Sequence, residues 1–266
     1  MFSYTLLILY FLAFGIYFID VKSNNKILPS LKRLSLFGVL ILHLIYLFYL
    51  FSKLRHFPIE NKSELFTVIA FSVTLVYFII ELLTDIHGTG FLILLFSFLF
   101  QLLSILFFNA NSPSAGEINR YIGIHIIVAI SGYVGFTISA AYGVMYIILF
   151  SKLKKNRFDA FFNRLPNLEI LSKLSITAFY IGFGMLTLSL ILGIIWLPKI
   201  FPERGFTDPK VLLTGFVWLF YSVIIFLNVF KIIYGKKFIY FSLAAFGILI
   251  VASGITTLLT NSFHSF

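Results

Sequence analysis

The 266-residue chain contains no cysteine. This excludes structural disulfides, thiolate-held metals, cysteine nucleophiles and the Cys-x-x-Cys-His site for covalent haem. Charge is scarce as well: 11% of residues are Asp, Glu, Lys or Arg, and only ten are acidic. A soluble domain carries about 25% charged residues, so the material for a water-facing surface is missing. Two tryptophans stand against 35 phenylalanines, so the aromatics mark membrane interfaces less sharply than Trp and Tyr would. No Gly-x-Ser-x-Gly elbow, phosphate loop or His-Glu-x-x-His helix is present. The expectation is a protein that is not an enzyme.

What the chain does have is apolar length. Hydrophobic residues make up 60% of it and the mean hydropathy is +1.03. Apolar runs fall at about 3–20, 34–52, 65–83, 90–108, 122–150, 176–197, 211–230 and 238–260. Each is near the ~20 residues that a membrane helix needs. All are too long for barrel strands of about ten residues with alternating polarity. The predicted fold is all-α, a polytopic helical membrane bundle with about eight transmembrane helices. It forms a single domain over 1–266, because no segment is long enough for a second, soluble core. Residues Met1–Tyr10 lack the basic start of a signal peptide, so the first run reads as a retained span.

The excess of twenty Lys and Arg over ten Asp and Glu is a topology signal and does not point to nucleic acid. One set of alternate connections holds thirteen of these cations and the other seven. The positive-inside rule then puts the first set in the cytoplasm and both termini outside. The most basic connection, Ser151 to Ser175, carries Leu153, Phe158, Phe161, Phe162 and Leu165. It reads equally as an amphipathic helix on the leaflet or as a solvated loop. Ser131, Gly135, Ser139 and Gly143 recur every four residues, a spacing that lets a neighbouring helix approach closely. Gln101 and Asn228 are single polar residues inside spans, expected to bond across helices.

Ionisable residues in or beside a span are functional candidates by default. His56, His125 and His264 all fall toward the predicted outer face, while His43 is mid-span and His87 lies in a short cytoplasmic loop. Neutral imidazole is a good iron ligand, though spacing alone does not separate haem from zinc or from a proton path. The segment from Trp196 to Asp208, Lys210 and Trp218 is an aromatic stretch that could cover a porphyrin. Its cations, including Lys210, could pair with propionates. Glu81 and Asp85 share a helix face and read more simply as headgroup-layer residues than as a polar path.

The stretch from Gly193-Ile-Ile-Trp196 to Asp208-Pro-Lys210 and Trp218-Leu-Phe-Tyr221 resembles the tryptophan-rich loop of the cytochrome c assembly family (CcsA/CcmC/HemX-like haem-handling membrane proteins). His56-Phe-Pro with Asn61 and Glu64, the His125 helix, Leu165-Pro-Asn-Leu-Glu169 and the ending Asn261-Ser-Phe-His264 resemble further pieces of that family in the same order. The resemblance implies haem binding, b-type and non-covalent, with His56 and His264 as axial ligands to the iron and His125 as a further candidate. It also implies a platform of Trp196, Asp208, Lys210 and Trp218. Gly205-Phe206-Thr207 stand where family synthases and haem exporters carry tryptophans, so the chain looks most like the HemX branch.

Three functions are therefore expected, in descending order. The first is haem handling in cytochrome c assembly, with haem and an apocytochrome c or another maturation membrane protein as partners. The second is a HemX-like membrane regulator of tetrapyrrole synthesis. The third is a small-molecule transporter using Glu81, Asp85 and His43.

Overall fold

The computed structural model describes residues 2–22, 29–54, 56–84, 86, 88–108, 120–200 and 209–259. Among them the chain forms nine α-helices and no strand: α1 (Phe2–Lys22), α2 (Pro29–Leu54), α3 (Lys62–Leu83), α4 (Gly90–Leu106), α5 (Arg120–Lys154), α6 (Ala160–Arg164), α7 (Leu168–Ile200), α8 (Pro209–Val229) and α9 (Lys236–Leu259). Seven of these are long and apolar enough to cross a membrane: α1, α2, α3, α5, α7, α8 and α9. The remaining expected span is α4, with 17 residues, at the short end of the spanning range. The all-α membrane bundle read from the sequence is what the chain forms.

Local chemistry sets the helix starts. Pro29 and Pro209 open α2 and α8, where the missing N–H would have had no helical partner. Asn61 caps α3 by accepting from the Glu64 N–H at 2.9 Å. The Glu64 carboxylate reaches back to the Glu60 N–H at 2.8 Å, a variant of the capping box. Asn167 Oδ1 accepts from the Ile170 N–H at 2.8 Å and starts α7.

The chain divides into two compact units, residues 1–117 with 145–171, and residues 118–144 with 172–266. In the first, α1 to α4 bury a polar stripe. Asp20, Lys32, His43, Thr67, Thr74, Glu81, Ser97 and Gln101 are all buried, while Leu34, Phe48, Leu82 and Leu106 are exposed. This inverts the pattern of a soluble protein, as hydrocarbon demands, because polar groups there must find partners inside. Glu81, expected in the headgroup layer, is instead buried and accepts from the Tyr17 hydroxyl at 2.7 Å.

The basic connection resolves into something between the two forms expected of it. Its helical part, α6, has five residues, too few for an amphipathic helix on a leaflet. Asp159 caps it through the Phe162 N–H at 3.0 Å. Phe161 packs edge-on against Phe91 and Leu165 is buried, whereas Leu153 and Phe158 are exposed. Lys152 donates to Asp159. That bond, with the Phe162 N–H, holds the Asp159 carboxyl below the ordinary carboxylate range.

In the second unit Phe136, Phe179, Tyr221 and Phe238 form a buried aromatic core, with Phe136 and Tyr221 centroids 4.2 Å apart. The small-residue stripe works as expected at two of its positions. A Cβ on Gly135 would meet Gly182 Cα at 2.7 Å, and Ser175 Oγ donates to the Ser139 carbonyl at 2.9 Å, so α5 lies backbone to backbone with α7. Gly143 faces Leu243 and Ile239 of α9, while Ser131 bonds only within its own helix, to the Ile127 carbonyl. Asn228 accepts from Tyr180 at 2.9 Å, the cross-helix bond anticipated for it.

Candidate functional site

The described histidines sort by what their ring nitrogens do. His56 sits half-buried in the α2–α3 connection, with Nδ1 3.0 Å from the Phe57 carbonyl and 3.3 Å from Glu60 Oε1. A carbonyl only accepts, so the neutral ring carries its proton on Nδ1 and leaves the lone pair on Nε2. That is the tautomer of a metal-ligating imidazole, whose other nitrogen donates to a carbonyl or carboxylate and gains basicity from it. The Phe57 carbonyl is that partner, and the Glu60 carboxylate, 3% exposed, stands beside the same nitrogen at ion-pair distance without taking the hydrogen bond. The sequence reading missed Glu60, although the Glu60–Asn61–Glu64 cap that fixes it is a visible spacing.

His125 on α5 has the same arrangement by another route. Its Nδ1 donates to the Ser189 carbonyl of α7 at 2.8 Å, so Nε2 again bears the lone pair. The ring lies over Gly193, where an added Cβ would meet its Cε1 at 3.1 Å. Near it, Tyr121 of α5 meets Trp196 with ring centroids 5.0 Å apart. The fold therefore brings His125 and Trp196 to one α5–α7 contact.

His43 is different. Tyr10 Oη lies 2.8 Å from Nδ1 and Thr67 Oγ1 lies 3.0 Å from Nε2. Thr67 donates to Gln101 Oε1 at 2.8 Å, so it accepts from Nε2–H, and Nδ1 accepts from Tyr10. Both nitrogens are occupied, and the ring is wholly buried. His43 is a bonded interior residue and is not placed as a ligand. Gln101 makes the cross-helix bond anticipated for it.

Two of the platform residues fall in the helices that the runs at 176–197 and 211–230 lead one to expect. Trp196 lies within α7 and Trp218 within α8. The Trp218 Nε1–H donates to Thr187 Oγ1 at 2.9 Å and its ring stacks on Phe183, which fastens it between α7 and α8. Lys210 opens α8. Its side chain, together with Asp208, His264, His87 and Asp85, lies outside the described residues. No group of three or more His, Cys, Asp or Glu fit to hold a bare metal ion occurs among the described residues. A single imidazole with one ring nitrogen available could serve a metal that brings its own equatorial nitrogens, as haem does.

Buried polar groups, a lipid-type exterior and seven spanning helices define a polytopic integral membrane protein. The chain belongs to the cytochrome c assembly protein family, which it matches over residues 1–264. It is 26% identical over 251 residues to Protein HemX of Bacillus subtilis (strain 168), covering 92% of this chain and 90% of that protein. It is 34% identical over 99 residues to Protein HemX of Brevibacillus brevis, covering 37% of this chain and 36% of that one. These relationships put the chain among membrane proteins of haem handling or cytochrome biogenesis.

Proposed function

We propose that this protein binds haem non-covalently, as a b-type group, and acts in cytochrome c assembly. His56 carries the reading: its Nδ1 is turned to the Phe57 carbonyl and Glu60, which leaves Nε2 as the donor to iron. His264 is the second axial ligand by family resemblance, and His125 has the same tautomer. Trp196 supplies aromatic surface, and Asp208 and Lys210 complete the platform, with the lysine pairing to a propionate. Haem supplies an iron with open axial positions. The chain itself holds and orients and breaks no substrate bond, so it is not an enzyme. An apocytochrome c or another maturation membrane protein would receive the haem. In this reading the protein sits in a bacterial-type inner membrane with both termini outside, as the Lys and Arg distribution favours.

Protein purified from haem-replete cells should show a Soret band. His56→Ala and His264→Ala should each weaken or shift it, and His43→Leu should leave it unchanged. A missing band, or one indifferent to His56→Ala and His264→Ala, overturns the reading.

The exposed Lys154, Lys155 and Arg157 beside α6 favour a second reading, the membrane regulator of tetrapyrrole synthesis. With Lys152 engaged by Asp159, these three present a cationic surface for a cytoplasmic enzyme. A deletion strain should then keep its c-type cytochromes and change the level of an early tetrapyrrole enzyme, as immunoblotting would measure. Unchanged levels reject this alternative.

A further inference from the structure

A file of polar side chains runs almost the length of α3 inside the first unit. Glu64, Thr67, Thr74, Tyr77 and Glu81 are spaced by three, seven, three and four residues, which sets them on one helix face. None is more than 5% exposed. From Glu64 to Glu81 the helix rises about 26 Å, close to the ~30 Å hydrocarbon core. Each end carries ionisable groups. At one end Glu64 takes the Asn61 amide at 2.6 Å beside Glu60 and His56. At the other, Glu81 accepts from Tyr17, Arg33 donates to the Glu81 carbonyl at 3.4 Å, and Lys32 pairs with Asp20 at 2.6 Å.

The middle of the file is linked by bonds to every neighbouring helix. Tyr10 of α1 donates to His43 of α2, His43 to Thr67 of α3, and Thr67 to Gln101 of α4. Thr74 lies beside Tyr10 and donates to Ser97 at 2.8 Å. All these hydroxyls and the imidazole both donate and accept. Close packing does not need them, since leucine and phenylalanine would fill the same space without polar groups in hydrocarbon.

Gln101 provides a second, independent sign. Its Nε2 is buried without a hydrogen-bond partner, beside the Thr67 hydroxyl that its Oε1 accepts from. Turning the amide end for end puts Nε2 against Thr67. Thr67 then donates to His43, His43 donates to Tyr10, and the whole chain reverses with no heavy atom displaced beyond the amide. A hydrogen-bonded chain that has passed a proton must reverse in this way before it can pass another.

We propose that the first unit conducts protons along this file, between the Glu64 end and the Glu81 end. His43 takes a proton on one nitrogen and gives one up from the other, while Thr67, Tyr10, Thr74 and Ser97 pass it along. At the two ends, from Glu64 to Thr67 and from Thr74 to Glu81, the proton is carried by water molecules, each accepting one proton and releasing another. Each step makes one N–H or O–H bond and breaks another, so no oxidant or reductant takes part. The proposal stands apart from haem binding, because His43 is not an iron ligand in either reading.

The test uses the full-length protein, haem-free, in liposomes loaded with a pH-sensitive dye, under a potassium diffusion potential set with valinomycin. Proton entry should exceed that of protein-free vesicles. Thr67→Val removes a bonded link, and Glu81→Gln removes the carboxylate that takes up the proton while keeping an oxygen for Tyr17; each should reduce entry by about tenfold, the first also leaving two buried groups without a partner. Thr67→Ser, which keeps the hydroxyl, should restore it, and Ser139→Ala in the second unit should leave it unchanged. Entry no faster than in protein-free vesicles overturns the proposal, as does unchanged entry in monodisperse Thr67→Val and Glu81→Gln. If Thr67→Val fails to fold, the wild-type rate and the Thr67→Ser rate decide alone.

Discussion

Lys32→Met should lower the stability of the detergent-solubilised protein by about 3–5 kcal/mol, the cost of leaving a buried charge without its partner. Lys32 and Asp20 meet at 2.6 Å with side chains only 4% and 5% exposed, so water cannot take over from the lysine. Methionine fills much of the same volume and keeps contact with the Tyr17 ring, over which the ammonium lies at 5.5 Å. The loss is therefore electrostatic and does not come from a cavity. The double variant Asp20→Leu/Lys32→Met removes both charges and should recover most of the stability, because well-packed apolar replacements of ion pairs are often neutral. Thermal unfolding followed by circular dichroism measures both. A single variant as stable as the parent, or a double variant as unstable as the single, contradicts the burial of this pair.

Gly135→Ala should be almost as damaging. Its Cβ would stand 2.7 Å from Gly182 Cα and 2.8 Å from Gly182 N, and both obstacles are backbone. No rotamer change relieves such a clash, so α5 and α7 must separate. The Ser175–Ser139 bond, one turn along, would stretch with them. Overpacking of this kind costs typically 1–3 kcal/mol, and here the upper end is expected. Gly184→Ala on α7, where an added Cβ meets nothing within 4 Å, serves as the control and should unfold at the parent temperature. Equal melting of the two variants would mean that the helices are not in backbone contact.

The spans were legible because hydropathy is a property of consecutive residues. The runs at 65–83, 90–108 and 211–230 correspond to α3, α4 and α8 within a few residues. The run at 34–52 understates α2, which starts at Pro29. Lys32 and Arg33 look like a loop in a hydropathy scan, yet Lys32 lies inside the helix on a buried face with an acidic partner. Likewise α7 starts at Leu168, eight residues before its run, because Asn167 caps it and a helix continues past hydrocarbon wherever its end is capped. The polar interior was only half legible. Sequence marks His43, Gln101 and Glu81 as unusual, but their partners Tyr10, Thr67 and Tyr17 come from other helices 33, 34 and 64 positions away. A tyrosine in an apolar run carries no sign of which residue it will face. The tautomers of His56 and His125 were illegible for a similar reason: each depends on a backbone carbonyl, which every residue possesses.

The shortness of α4 bears on the lipid around it. Seventeen residues rise only about 25 Å, some 5 Å less than a typical hydrocarbon layer. Leu99, Leu106 and Phe108 of this segment are exposed, so acyl chains meet it directly. A helix this short is accommodated by thinning of the annulus beside it, by snorkelling of flanking side chains or by association, each at a fraction of a kcal/mol per ångström of mismatch. Phospholipids with shorter chains would meet α4 with the least mismatch.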